Sequence, residues 1–198
     1  SYPAAVAIDP SGKFAYVAGV NTVSVYAIDS STGALTAITG SPFAGVTYPF
    51  SVAVDPMGKF LYVANWTDNG TVSAYTIDSS TGALTAVGLP IAAGKWPFSV
   101  AIDPTGKFAY VANMGDDTVS VYTIDSSTGA LTEITGSPFI AGVAPVSVAV
   151  DPTSNFVYVA CSGPWPAFDN TVYAYTINSS TGALTAITGS PFAAGTKP

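Results

Sequence analysis

Four copies of one unit fill this chain. Around Asp9, Asp55, Asp103 and Asp151 the sequence reads VAIDPSGKFAYVA, VAVDPMGKFLYVA, VAIDPTGKFAYVA and VAVDPTSNFVYVA, with the aspartates 46, 48 and 48 residues apart. Each copy continues through a TV-initiated segment into DSSTGALT, or NSSTGALT in the last, and three of the four then carry GSPF. A period of this size marks a stack or ring of supersecondary units rather than an ordinary globular domain. The copies also control for one another. Positions kept in all four are expected to serve the fold, and positions that differ are free for other work.

One unit shows what the period contains. In the third copy, PFSVAID (97–103) reads as a strand. Asp103-Pro104-Thr105-Gly106 has the residues of a type I turn, with Asp first, Pro second and Gly fourth. KFAYVA (107–112) is a second strand, rich in aromatic and β-branched residues, and TVSVYTI (118–124) alternates as a third. DSSTG is a turn, and Ala130 to Thr135 completes a fourth strand. Four short antiparallel strands per unit describe a β-propeller blade. The predicted fold is therefore all-β, one propeller of four four-stranded blades at approximately 1–45, 46–93, 94–141 and 142–198. It could be half of a larger ring.

Composition agrees. Apolar residues make up 48% of the chain and charged residues 9%. No apolar run is long enough to cross a bilayer as a helix, so the apolar content is expected in strands buried on both faces. The net charge is -7, with no Arg, no His and five scattered Lys. Such a chain has no electrostatic footprint for nucleic acid. A surface built from Ser, Thr, Asn and Gly suits an extracytoplasmic location: secreted, periplasmic or at the cell surface. With no initiator Met and no signal peptide, the chain is expected to be a processed or excised segment. The single Cys161 reads as a small buried thiol.

The repeated acids read as turn residues. Asp9, Asp55, Asp103 and Asp151 precede Pro, and Asp29, Asp78 and Asp125 precede Ser-Ser-Thr-Gly. Their carboxylates accept hydrogen bonds from nearby backbone N–H groups. Asn178 replaces the last of the second set, which such a turn tolerates and an acid catalyst would not.

The strings FAYVANMGDDTVSVYTIDSSTGALTEITGSPF and PFSVAVDPMGKFLYVAN resemble the lactonase-type β-propeller family, with YVTN-like repeats, over the whole chain. That resemblance implies seven blades as the usual number and sugar-lactone hydrolysis or a related cyclisation as the activity. It also implies a central pocket using His, Arg and Glu. This chain has no His or Arg, and its one Glu, Glu133, falls on the predicted outermost strand. No catalytic residue carries over. A Ser–His–Asp triad is impossible without His, and a zinc site is not expected. No cofactor or metal is expected, and Asp116-Asp117 or Asp169-Asn170 alone fall short of the six to eight oxygens Ca²⁺ takes.

The copies differ mainly on one predicted face. There lie the loops between strands two and three (Gly19-Val20-Asn21, 65–70, 113–117 and 161–170) and the crossovers between blades. Trp66, Trp96 and Trp165 all fall on it, as do Asp68, Asp116, Asp117 and Asp169. Indoles beside carboxylates suit a sugar, which stacks an apolar ring face and hydrogen-bonds its hydroxyls. These seven are the candidate ligand-binding residues, for a carbohydrate or a protein. The competing reading is that the tryptophans fill gaps between blades. Sequons occur at Asn65, Asn69 and Asn178.

Four blades leave an apolar sheet face at each end, and such faces do not stay bare in a soluble monomer. The chain is expected to complete itself with another copy, as a two-chain ring or a fibre, the alternative being that it is an excerpt from a longer propeller. The leading function is a non-catalytic binding or assembly module. The alternatives are a lactonase-like hydrolase and a surface-layer or filament subunit.

Overall fold

The computed structural model describes residues 3–163 and 170–195. They form four sheets and no helix, so no helix among them is long and apolar enough to cross a membrane. The first sheet holds β1 (Ala5–Ile8), β2 (Phe14–Gly19), β3 (Thr22–Ile28), β4 (Leu35–Ala37) and β5 (Phe43–Ala44). The second holds β6 (Pro49–Val54), β7 (Phe60–Asn65), β8 (Thr71–Ile77), β9 (Leu84–Ala86) and β10 (Ile91–Ala92). The third holds β11 (Pro97–Ile102), β12 (Phe108–Asn113), β13 (Thr118–Ile124), β14 (Leu131–Glu133) and β15 (Phe139–Ile140). The fourth holds β16 (Pro145–Val150), β17 (Phe156–Cys161), β18 (Thr171–Ile177), β19 (Leu184–Ala186) and β20 (Phe192–Ala193).

Each sheet is an antiparallel meander. The fourth strand is in two pieces. β4 and β5 pair with opposite ends of β3, Ile28 facing Leu35 and Val23 facing Phe43. Between them Ser41-Pro42 turns the chain through a cis peptide, and the Ser41 hydroxyl accepts the Val25 N–H at 2.9 Å. Ser137 and Ser190 do the same for Val121 and Ala174. The GSPF segment thus replaces a missing stretch of ladder with a side-chain acceptor. The second copy has Leu89 at that place, with its side chain in solvent.

The DPxG turns form as their residues require. The N–H of Gly12, Gly58, Gly106 and Ser154 donates to the carbonyl of Asp9, Asp55, Asp103 and Asp151. The carboxylates gather the N–H groups beyond: Asp103 takes those of Thr105, Lys107 and Phe108.

In the second turn, Asp29 accepts from Ser31 and Thr32, and Asp78 from Ser80 and Thr81. The Ser31 and Ser80 hydroxyls foremost pull these two carboxyls down to about 2. A carboxyl whose pKa is lower folded than unfolded contributes stability above its unfolded value, near 3.9. That contribution is lost as pH falls through the folded value. Stability should therefore fall between about pH 4 and pH 2, and Asp29→Asn plus Asp78→Asn should flatten that slope. Urea midpoints measured across the range check this; an unchanged slope in the double variant would refute it.

Burial lies between blades. Phe14, Tyr16 and Ala18 of the first sheet meet Val52, Leu61, Val63 and Leu84 of the second. The same residue types meet again between the second and third sheets and between the third and fourth. Strands of the second and third sheets are apolar on both sides because these sheets are packed on both sides. Tyr16, Tyr62 and Tyr110 are fully buried, as is Cys161. The inner strands β1, β6, β11 and β16 pack side by side around one axis.

Candidate functional site

The variable face is organised by its crossovers. Tyr48, Trp96 and Ala144 each precede a proline and each adopt a left-handed backbone, with φ of 47°, 53° and 51°. Sterics disfavour that conformation for any residue with a Cβ. Hydrogen bonds on both sides hold it. The Tyr48, Trp96 and Ala144 carbonyls accept the N–H of Trp66, Met114 and Ser162 in their own sheets. Their N–H groups reach back to the preceding sheet. Tyr48 donates to Asn21 Oδ1 at 3.0 Å, Trp96 to the Thr67 carbonyl at 3.0 Å and Ala144 to Asp117 Oδ1 at 2.8 Å.

Two predicted site residues belong to this clasp. Asp117 holds the Ala144 N–H, and Asp116 Oδ2 holds the Lys95 N–H at 2.7 Å. Asn21, not singled out from sequence, does for the first sheet what Asp117 does for the third. Three other predicted residues come together. Trp96 Nε1 donates to Asp68 Oδ1 at 2.8 Å, and the Trp66 and Trp96 rings stack with centroids 5.7 Å apart and planes at 26°. The Lys95 ammonium stands 5.6 Å from the Trp96 ring centroid, within cation–π range. Trp165 and Asp169 lie outside the described residues.

The aromatic cluster extends toward the axis through two residues that sequence reading missed. β6 and β11 each carry a bulge just after their proline, between Pro49 and Ser51 and between Pro97 and Ser99. Phe50 and Phe98 occupy the bulged positions, and their ring centroids are 4.1 Å apart. Phe50 also stands 6.2 Å from Trp66. The row Phe98–Phe50–Trp66–Trp96 therefore runs from the inner strands to the rim. The available signal was that these bulge positions differ among copies, as Ala4, Phe50, Phe98 and Val146.

Beside that row lies a hollow of about 270 Å³, lined by Ala4, Gly19, Val20, Tyr48, Pro49, Phe50 and Trp66. Tyr48 is exposed, and the indole N–H of Trp66 is buried without a partner. The sequon residue Asn65 is not a surface acceptor. It is buried and spends its Nδ2 on Thr71 and Ser73. Among the described residues no three acidic or sulfur side chains converge as a metal site. Glu133 is at the outer edge, accepting the Ser137 hydroxyl at 2.8 Å.

A family model described as lactonase, 7-bladed beta-propeller, matches residues 1–100 and again residues 90–196. The chain belongs to that family. Among solved structures, a 6-phosphogluconolactonase candidate from Bacteroides uniformis superposes with a TM-score of 0.84 at 17% identity. That match covers 98% of this chain and 55% of the other. A similar candidate from Bacteroides fragilis gives 0.77 at 23% identity, covering 96% and 54%. The periplasmic gluconolactonase of Pseudomonas aeruginosa gives 0.76 at 18%, covering 94% and 56%. At these identities the likeness is one of fold. This lactonase-family chain spans about half the length of the structures it matches. No curated protein matches it.

Proposed function

We propose that this lactonase-family propeller is a non-catalytic binding module that takes a sugar ring on its variable face. The hollow lined by Tyr48, Phe50 and Trp66 carries this reading. Aromatic walls offer a flat surface for the apolar face of a sugar ring. Asp116 and Asp117 are already engaged with backbone N–H groups, and Asp68 with an indole. None of the three stands beside a histidine or arginine, for the chain has neither. The sparsely charged, hydroxyl-rich sequence and the periplasmic neighbour support placing the module outside the cytoplasm.

A glycan array followed by calorimetric titration tests the reading. Trp66→Ala should weaken binding by about 2 kcal/mol, the cost typical of removing an anchoring aromatic, which is about 30-fold. Tyr48→Ala should weaken it less. Thermal unfolding of both variants separates lost binding from lost fold. Unchanged affinity in both variants would remove the hollow as the site.

The family match favours a second reading, a hydrolase of sugar lactones. A ring-opening assay on six-carbon lactones decides between the two. Turnover by the 198-residue chain would overturn the non-catalytic reading.

A further inference from the structure

Asn69 and Gly70 are the one Asn-Gly pair of the sequence. They sit in the loop between β7 and β8, where Gly70 takes the place that Asn21 and Asp117 hold before β3 and β13. Packing demands a glycine there. A Cβ would stand 2.0 Å from the Gly94 carbonyl oxygen and 2.5 Å from the Pro97 ring. The Gly70 carbonyl accepts the Ala93 N–H at 2.9 Å. With no side chain at 70 to accept a crossover N–H, the loop itself does that work. The Thr67 carbonyl accepts the Trp96 N–H at 3.0 Å, and Asp68 Oδ1 accepts the Trp96 indole at 2.8 Å.

The Asn69 side chain takes no part in this. It is exposed, and among the described residues its carboxamide makes no hydrogen bond and the Gly70 N–H reaches no acceptor. Other asparagines are held. Asn21 and Asn178 engage Oδ1 with backbone N–H groups, and Asn65 and Asn113 are buried with Nδ2 bonded. None of the other asparagines precedes a glycine. The pair 69–70 therefore combines an unrestrained electrophile, the Asn69 Cγ, with a backbone nitrogen that no ladder bond holds and no side chain shields.

We propose that Asn69 is a site of spontaneous deamidation, which rebuilds the loop through an isoaspartyl linkage and releases the Trp96 crossover. The Gly70 nitrogen, its proton lost to base, bonds to Asn69 Cγ. The Cγ–Nδ2 bond breaks and ammonia leaves, giving a cyclic imide that water opens. Attack at Cγ leaves an ordinary aspartate. Attack at the main-chain carbonyl carbon breaks its bond to Gly70, so the main chain runs through Cγ and the former carbonyl becomes a carboxylate. That path lengthens the loop by one carbon–carbon bond, about 1.5 Å. The loop is tied at both ends, by the Trp66 N–H on the Tyr48 carbonyl and by Gly70 against Gly94. The Thr67–Trp96 bond of 3.0 Å has only a few tenths of an ångström to give. The added length falls on Thr67 and Asp68, and the new carboxylate arises on the oxygen that accepts the Thr67 hydroxyl. Both bonds to Trp96 are lost, and with them the stacking of its ring on Trp66.

Incubation of the folded 198-residue chain in warm, mildly alkaline buffer tests this, read by peptide mapping and near-ultraviolet circular dichroism. The peptide containing Asn69 should gain the mass of a carboxyl over a carboxamide, and electron-transfer fragmentation should place isoaspartate at position 69. The dichroism of the stacked Trp66–Trp96 pair should decline in step. Asn69→Gln, whose longer side chain closes the imide far more slowly, should keep its signal over the same period. Freshly prepared Asn69→Asp carries a new charge without the added main-chain atom and should match the unaged chain. Far-ultraviolet dichroism verifies that the aged blades remain folded. An Asn69 that stays intact in the folded chain while reacting in urea would overturn the proposal. So would isoaspartate at 69 with an unchanged tryptophan signal, or an equal decline in Asn69→Gln.

Discussion

Replacing Asp103 by Ala should lower stability by about 3–4 kcal/mol, read as a fall in urea midpoint at unchanged slope. The carboxylate is buried and collects the N–H groups of Thr105, Lys107 and Phe108 as well as the Thr105 hydroxyl. Hydrogen bonds to a charged acceptor contribute roughly 1.5–3 kcal/mol each, but Thr105 and Lys107 are exposed and can turn to water, so the buried Phe108 N–H carries most of the loss. Against a typical total of about 5–15 kcal/mol, the loss is large for one turn. The fourth copy supplies the control. Asp151 makes the same backbone bonds, from Thr153, Asn155 and Phe156, but is only partly buried in the 198-residue chain. Asp151→Ala should therefore be clearly milder. Equal losses at the two positions would show that burial does not set the cost.

This turn was fully legible in the sequence because its chemistry is local. Asp, Pro and Gly at fixed offsets define it, and three further copies repeat it. The same holds for the strands and their order. What stayed hidden depends on contacts between residues distant in sequence. GSPF was visible as a repeated segment, yet its serine acts by bonding a strand sixteen residues away, as Ser41 does with Val25. The left-handed backbone at Tyr48, Trp96 and Ala144 could not be read either, since the residue before a proline ordinarily extends.

The candidate site shows a subtler limit. Asp117 stands out in the sequence because the copies differ there, and difference reads as freedom. The structure shows instead one job with three solutions: an Asn21 side chain, a Thr67 carbonyl and an Asp117 side chain each accept a crossover N–H. The function of the position is kept while the residue changes, so comparing letters alone misses it. Trp66, Trp96 and Asp68 do come together, which their shared face foretold. Phe50 and Phe98 escaped notice because a bulge, not strand alternation, sets their place.

Gly129→Ala should be the other severe substitution, at about 2–5 kcal/mol. Two terms add. Gly129 has φ of +76°, and holding a residue with a Cβ in that region costs about 1–2 kcal/mol. The new methyl also enters the Phe60 ring. Phe60 is itself buried among Tyr62, Val100 and Val111, so it cannot swing aside without strain. Overpacking of this kind costs about 1–3 kcal/mol. Gly33→Ala isolates the first term, because Gly33 has φ of +73° in the matching turn and open space beyond it. Urea unfolding should place Gly129→Ala well below Gly33→Ala. The combination Gly129→Ala with Phe60→Leu then reads the steric part directly. Trimming the ring should recover some of the loss, so the pair should cost less than the sum of its members. Strict additivity would mean that the methyl and the ring never compete for the same space. The glycine would then be required for its backbone alone, and the seating of one blade on the next would lose its closest point of fit.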